Sequence, residues 1–193
     1  MESITRDQAD IIGEVANICI GTAATALSMI INRSTNITTP AVEVLAEESS
    51  LESDEHILVK VPYTKGLDGT NLIVLDVNDA LVIANLMMGG VGTDISGMQV
   101  DELTLSAVSE AMNQMCGSIA TSMASLLHKA TDIGYPLINS KDHKTFEIPE
   151  ELCNGTDIVK VTFRLTVADL IDSELIQLYP ISIVKQILKQ EDL

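Results

Sequence analysis

Two short groups of polar residues have the chemical types and the spacing to act together on a helix face. Each group has Asp or Ser first, Glu four positions later and Asn three positions after the Glu. The six residues are Asp10, Glu14, Asn17, Ser106, Glu110 and Asn113. On a helix these positions, with the glycine four residues beyond each Asn, fall within a stripe roughly 60° wide. The spacing therefore predicts two equivalent polar stripes on two equivalent helices.

The two groups belong to a longer internal repeat with an offset of 96 residues and no gap. The same offset relates further pairs of identical residues, as far as a proline 23 positions beyond each Asn. These pairs are Gly21 and Gly117, Ala24 and Ala120, Thr25 and Thr121, Thr35 and Thr131, Ile37 and Ile133, and Pro40 and Pro136. One Glu-x-x-Asn on a helix is ordinary solvated surface, but two copies in register indicate a shared role.

An asparagine on a rigid helix can hold a water molecule, since its amide donates to one oxygen and accepts from another without changing charge. Asn17 and Asn113 are candidates for placing a water in line with a phosphoryl group, as a Gln does in small GTPases. Glu14 and Glu110 are suited to pair with a lysine of a partner. The glycines would let the partner's surface come close. Spacing alone leaves a second interpretation open, in which the stripes serve docking without catalysis.

Metal or nucleophilic catalysis housed in this chain is not indicated. His56, His128 and His143 lie in different predicted elements without ligand spacing. The cysteines form no Cys-x-x-Cys pair, and neither His-Glu-x-x-His nor Gly-x-Ser-x-Gly occurs. The segment 89–92 is Gly-rich, but it follows a predicted helix and precedes no Gly-Lys-Ser or Gly-Lys-Thr, so we interpret it as a linker. We expect no metal site.

Charge and composition argue against several classes of partner. With 28 acidic and 11 basic residues the formal net charge is −17, which repels nucleic-acid phosphates and anionic membrane surfaces. Aromatic residues make up only 3% of the chain, so stacking platforms for single-stranded nucleic acid are scarce. Polar residues interrupt the richest apolar segment, and the first residues lack a signal-peptide pattern. We therefore expect a cytoplasmic protein without direct membrane insertion, whose cysteines are buried thiols.

Each half is interpreted as a long helix, three strands and a shorter helix, although the second half is less regular past Pro136 and only two of its strands are located. Thr5 with Gln8 has the spacing of a capping box, and Asp101 is placed to cap the second long helix. The predicted segments are a helix over 7–32, a loop over 34–40, a strand over 41–45, an acidic loop over 47–55, strands over 56–62 and 71–77, a helix over 79–88, a helix over 101–128, a loop over 139–145, strands over 158–167 and 174–179, and a closing helix from 180 to about 190.

Two such halves most economically share one sheet. The predicted fold class is α+β, a pseudo-twofold duplicated domain with a mainly antiparallel sheet of about six strands, packed by two long and two shorter helices. We expect residues 1–193 to form a single domain built of two intertwined repeats, about 5–92 and 100–193. The order of strands in the sheet does not follow from periodicity.

The paired motifs resemble those of the CheC, CheX and FliY family of chemotaxis phosphatases. In that family Asp or Ser, three residues, Glu, two residues and Asn are followed by a downstream Pro, here Pro40 and Pro136. The residues around the motifs are most similar to the FliY group, and the similarity covers nearly the whole chain. FliY proteins usually continue into a FliN-like domain and often begin with a CheY-binding peptide, neither of which is recognisable here. The resemblance thus implies either the catalytic core of a longer protein or a free-standing CheC-like enzyme.

The resemblance implies a fold with two active sites that dephosphorylate the aspartyl phosphate of the response regulator CheY. Asn17 and Asn113 would position the attacking water, and Glu14 and Glu110 would bind a partner lysine. Asp10 and Ser106 would lie at the edge of each contact. The contact residues implied are Asp10, Gly21, Ser106 and Gly117. The domain would need no cofactor of its own, because the phosphorylated regulator supplies Mg²⁺.

The resemblance also implies partners and a location. Phosphorylated CheY would be the substrate, and switch proteins such as FliM, FliG and FliN-type proteins would be neighbours at the cytoplasmic face of the flagellar basal body. An alternative is a non-catalytic rotor or switch scaffold resembling the FliM middle domain, which works by contacts alone. Regulation by a protein such as CheD, as for CheC in some systems, is a further possibility that the sequence does not decide.

Overall fold

A computed structural model describes residues 4–45, 50–52, 56–140, 145–147, 152 and 157–189. Four helices have both ends within these residues. They are α1 (Arg6–Ile31), α2 (Val77–Met87), α3 (Glu102–Leu126) and α4 (Ile181–Leu188). All four were predicted within a few residues, since apolar periodicity and capping residues mark their limits.

Nine strands are described, and all their pairings are antiparallel. They are β1 (Thr35–Leu45), β2 (Ser50–Glu52), β3 (His56–Lys65), β4 (Gly69–Asp76), β5 (Asp132–Ile133), β6 (Leu137–Ser140), β7 (Thr145–Glu147), β8 (Ile158–Val167) and β9 (Ile171–Pro180). Seven form one sheet in the order β1-β8-β9-β4-β3-β5, with β6 also paired to β3, while β2 and β7 form a separate two-stranded sheet.

The main sheet interleaves the two halves of the chain. The first strand of the first half, β1, pairs with β8 of the second half, and β5 and β6 of the second half pair with β3 of the first. The centre of the sheet is the contact between β4 and β9, which are equivalent strands. Since β5 and β6 together occupy the place that β1 has at the other edge, the sheet has six strand positions with approximate twofold symmetry. The predicted α+β fold class is confirmed.

The loop predicted over 34–40 is wrong, because β1 begins at Thr35. Ile37 is buried on the helix-facing side of the sheet, and β8 supplies the hydrogen-bonding partner. Pro40 suggested a loop, but it lies in an edge strand, at an irregularity between Thr38 and Ala41 where the register shifts. An edge strand tolerates the missing amide donor of a proline. Pairing with β8 therefore makes this segment a strand although its composition favours a loop.

Two other predicted loops also contain strand. The loop predicted over 47–55 includes β2, and the loop predicted over 139–145 includes the end of β6 and the start of β7. β2 and β7 pair with each other, which a search for local periodicity does not detect. The remaining residues of these two predicted loops, 47–49, 53–55 and 141–144, lie outside the described residues.

The main core lies between the helices and one face of the sheet. Alternate residues of β3 and β8 point into it, including Val59 and Phe163, as the period of two along a strand requires. A smaller apolar cluster around Leu72 and Leu178 covers the opposite face. α1 has the length and mean hydropathy, 1.6, of a membrane-crossing helix, but half of that window is buried inside the fold. A core helix has the same composition, so this is weak evidence for a membrane span.

Candidate functional site

The two long helices begin in equivalent ways. Thr5 caps α1 and accepts from the backbone N–H of Gln8, whose side chain accepts from the backbone N–H of Thr5 in return. Asp101, at the offset of 96, caps α3 by accepting from the backbone N–H of Thr104 at 2.8 Å. These amide hydrogen bonds hold the pKa of the Asp101 carboxyl below its ordinary value. Both predicted caps are confirmed. Each cap sets where its long helix begins, so the two stripes start at the same distance from their helix N-termini.

The helices also end in equivalent ways. Asn32 and His128, again at the offset of 96, both have left-handed backbone conformations, with φ of 50° and 48°. A few residues on, the hydroxyls of Thr35 and Thr131 donate to the backbone carbonyl oxygens of Arg33 and Lys129. The chain therefore leaves both helices along the same path toward the two edges of the sheet.

The two helices contact each other at equivalent positions. The hydroxyl of Thr22 on α1 lies 3.3 Å from the backbone carbonyl oxygen of Ser118 on α3, and these residues are 96 positions apart. The Thr22 hydroxyl also lies 3.1 Å from that of Ser122. A contact between equivalent residues places the approximate twofold axis at this point. Each stripe Asn precedes the contact by five residues, or about 7.5 Å along its own helix.

The structure places both predicted stripes on solvent-facing surface. Asp10, Glu14 and Asn17 are exposed, and none of them has a side-chain hydrogen bond or ion pair with another described residue. In the second stripe Ser106 and Glu110 are exposed, whereas Asn113 is half-buried. The residues of each stripe lie together on one helix face, and the two stripes lie on either side of the axis.

Each stripe ends at a glycine with free space above it. A methyl group added at Gly21 or Gly117 would meet no atom of another described element within 4 Å. Thr25 and Thr121 donate to the backbone carbonyl oxygens of these two glycines. Packing against the described residues therefore does not require glycine at either position.

The proline of the first repeat lies beside its stripe. A methyl group added at Gly13 would lie 3.2 Å from the Val42 side chain and 3.8 Å from that of Pro40. Gly13 is buried and adjoins Glu14, so β1 packs closely against α1 next to the acidic residue. Pro40 therefore lies near α1 one turn before Asn17, at the edge of the sheet.

The environments of the two glutamates differ. Glu110 Oε1 accepts a hydrogen bond of 2.8 Å from the side-chain amide of Gln114, one helical turn further on. In the first stripe the equivalent position is Ile18, which is 41% exposed and has no side-chain donor. Sequence reasoning missed Gln114, although its position four residues after Glu110 on a predicted helix was a signal for this contact.

Among the described residues, the other side chains suited to catalysis or metal binding are dispersed or buried. His56 lies in β3 and His128 follows α3, while His143 and Cys153 lie outside the described residues. Cys19 and Cys116 are buried free thiols, and burial raises the pKa of each to about 12. Among the described residues no group of three His, Cys, Asp or Glu side chains is placed to hold a metal ion.

Comparison with known proteins finds a family match in each of the two repeats. A profile of the CheC-like family matches residues 8–44 and 103–136, which contain both stripes and both prolines. The crystal structure of Thermotoga maritima FliY is 37% identical, with a TM-score of 0.86 over 98% of both chains. The chain belongs to the CheC-like family. The resemblance inferred from the paired motifs, including that to FliY, is confirmed.

This CheC-like chain is also similar to the flagellar motor switch phosphatase FliY of Bacillus subtilis, with 38% identity over 190 residues. The alignment covers 97% of this chain and 50% of that relative, so the chain spans about half the length of the curated relative it matches. A chain of the H. pylori FliG–FliM complex has a TM-score of 0.74 at 11% identity, and the match covers 96% of this chain and all of that one. The crystal structure of Desulfovibrio desulfuricans CheX has a TM-score of 0.59 at 16% identity, and the match covers 86% of this chain and 97% of that one. These two comparisons show the fold alone.

Proposed function

We propose that this chain is a phosphatase domain that hydrolyses the aspartyl phosphate of CheY at two sites, one on each long helix. The observation that supports this best is the presence of two complete, solvent-facing Glu-x-x-Asn stripes on equivalent helices. The Bacillus relative is named a phosphatase of the flagellar motor switch, which supports the same reaction class. In this proposal the catalytic residues are Glu14, Asn17, Glu110 and Asn113.

The reaction proposed is a hydrolysis in which Asn17 or Asn113 holds a water in line with the phosphorus atom. The oxygen of the water bonds to phosphorus as the bond from phosphorus to the aspartyl oxygen breaks, and the carboxylate leaves with the electron pair. Both protons of the water remain with the inorganic phosphate that is released. The amide needs no change of its own protonation state, which fits a stripe without a histidine.

The remaining stripe residues bind and orient the partner. Glu14 and Glu110 have exposed carboxylates that can pair with a lysine beside the phosphorylation site. Gly21 and Gly117 allow the partner's backbone to come close, because no described residue occupies the space above them. Asp10 and Ser106 lie one turn before the Glu, at the rim of each contact.

The Mg²⁺ of the reaction belongs, in this proposal, to the phosphorylated regulator, where it neutralises charge on the phosphoryl oxygens. No step requires this chain to hold a metal or cofactor. The proposed location is cytoplasmic, at the cytoplasmic face of the flagellar basal body, with switch proteins of the FliM, FliG and FliN type as further partners. The Bacillus relative is a motor switch protein, which supports this setting.

The test is the decay of radiolabelled CheY phosphate with wild type, Asn17→Ala, Asn113→Ala and the double variant. Each single variant should keep the activity of one site, and the double variant should lose about 10²- to 10³-fold in rate, as expected for loss of a positioned polar group. Asn78→Ala, which alters a helix asparagine outside both stripes, is the control. Decay at the wild-type rate with the double variant would refute the proposal.

A second candidate function is a non-catalytic switch module, since FliM middle domains share this fold at about one-tenth identity. A module of that kind would bind switch proteins without accelerating CheY dephosphorylation. It gives no reason for a matching Glu, Asn and open glycine in both halves. Binding of CheY with unchanged phosphate decay would favour this candidate over the enzyme.

A further inference from the structure

The two proposed sites are not chemically identical, although their motifs match. Glu110 Oε1 accepts a 2.8 Å hydrogen bond from Gln114 Nε2, and both side chains are exposed on α3. Glu14 has Ile18 in the equivalent place and makes no side-chain hydrogen bond or ion pair with another described residue. Asn113 is half-buried, whereas Asn17 is exposed. Both differences leave the side chains of the second stripe more restrained than those of the first.

We infer that Gln114 is a positioning residue that orients Glu110 for the partner's lysine and makes the second site the tighter-binding of the two. This inference rests on the proposed phosphatase function and adds a residue that the motif does not contain. Gln114 acts through Glu110, whose carboxylate is the group that meets the partner.

The geometry explains why the hydrogen bond helps binding. A carboxylate has two oxygens and about four lone-pair positions, so the amide on Oε1 leaves Oε2 free to accept from an ammonium group. A glutamate held in one orientation loses less side-chain entropy when the lysine binds. The side chain of Ile18 cannot donate a hydrogen bond, so Glu14 is not restrained in this way and loses more side-chain entropy when the lysine binds.

The chain offers a reciprocal experiment. Asn17→Ala leaves only the second site to act, and Asn113→Ala leaves only the first. In the Asn17→Ala background, Gln114→Met removes the amide while keeping the length of the side chain. It should raise KM for radiolabelled CheY phosphate about threefold to tenfold, or about 0.6–1.4 kcal/mol, with kcat unchanged. In the Asn113→Ala background, Ile18→Gln should lower KM by a similar factor.

The controls separate positioning from damage to the fold. Gln114→Met in the Asn113→Ala background should change nothing, because the site that it serves is already inactive. An unchanged KM in the Asn17→Ala background, or a fall in kcat in place of a rise in KM, would overturn the inference while leaving the phosphatase proposal intact. Wild-type activity in the Asn17→Ala, Asn113→Ala double variant would overturn both.

Discussion

The Thr22 hydroxyl on α1 lies 3.3 Å from the backbone carbonyl oxygen of Ser118 on α3, and the two residues occupy equivalent positions in the repeat. Their contact lies where the approximate twofold axis passes between the helices. The positions of both stripes relative to each other therefore depend on how the helices meet at these small polar residues.

Loss of the Thr22 hydroxyl should weaken the contact between the helices. The Thr22 hydroxyl also donates at 2.8 Å to the backbone carbonyl oxygen of Cys19 in its own helix, so its single proton is shared between that bond and the contact with Ser118. We expect Thr22→Val to lower the free energy of unfolding by about 0.5–1.5 kcal/mol, measured by urea denaturation, because the contacts with Ser118 and Ser122 are lost together with the bond to Cys19. Thr25→Val is the matched control, since among the described residues the Thr25 hydroxyl bonds only within its own helix, and it should cost less. Equal losses for the two variants would show that the bonds across the helices contribute nothing.

Alanine in place of the stripe glycines Gly21 and Gly117 should increase the stability of the fold and weaken binding of the substrate. Gly21→Ala and Gly117→Ala should raise the free energy of unfolding by about 0.5–1 kcal/mol, because alanine favours helix and meets no atom within 4 Å. With both positions changed, we expect KM for CheY phosphate to rise about fivefold or more from a steric cost of about 1–3 kcal/mol at the contact.

Gly97→Ala is the control for that experiment. Gly97 also has open space around it, but it lies between α2 and α3, outside both stripes. Activity should stay at the wild-type level. If the stripe variants also keep their KM while the asparagine variants lose activity, the glycines lie outside the contact.

The turn between β3 and β4 should tolerate no side chain at Gly66. This residue has φ of 86°, and an added methyl carbon would lie 2.6 Å from the backbone carbonyl oxygen of Ala130. Gly89 has nearly the same φ, 87°, but open space. We expect Gly66→Ala to cost about 2–4 kcal/mol of unfolding free energy and Gly89→Ala about 1 kcal/mol.

The difference between the two alanine variants in urea unfolding separates the clash from the backbone strain, because only Gly66 of the two has close neighbours among the described residues. Ala168 follows β8 as Gly66 follows β3, and it holds a φ of 45°. An alanine can therefore hold a positive φ at the end of a strand in this fold, and the larger cost expected at Gly66 comes from the contact with Ala130. Equal destabilisation at Gly66 and Gly89 would mean that the segment after α3 moves away without cost.

Asp79 should make stability fall as pH rises. It is 7% exposed in a polar cleft of about 510 Å³ and accepts from the Ser173 hydroxyl. Burial, the largest effect, raises the pKa of its carboxyl above the ordinary 3.8, and nearby Asp76 raises it further, while Ser173 and His56 oppose the shift. The folded state thus binds this proton more tightly than the unfolded state does, and stability is lost from pH 3.8 upward through the raised pKa.

Asp79→Asn should therefore unfold at higher urea concentration than wild type at pH 7, with the difference disappearing toward pH 4. The amide oxygen can still accept from Ser173, and no buried charge remains. Asp94→Asn, at an exposed position, is the control and should show no such gain at pH 7. A gain at Asp79 that is independent of pH would contradict the mechanism.

Local sequence patterns were enough for the helices and the stripes. A helix hydrogen-bonds within itself, so Thr5, Asp101 and the apolar period set its limits and the direction of each face. Glu14 and Asn17 therefore lie on one exposed face as the spacing predicted. The catalytic roles assigned to the stripe residues and the bounds of the two repeats stay predictions.

Tertiary structure decided the rest, because strands obtain their partners from distant parts of the chain. Thr35 pairs with Val167, and Ile37 with Leu165, so the segment before Pro40 is strand although its composition indicated a loop. The meeting of Thr22 with Ser118, and the half-burial of Asn113 beside the exposure of Asn17, likewise follow from packing between elements. A sequence repeat determines which side chains occur twice, but only the fold determines what surrounds each copy, since neighbours across a core are not encoded by local spacing.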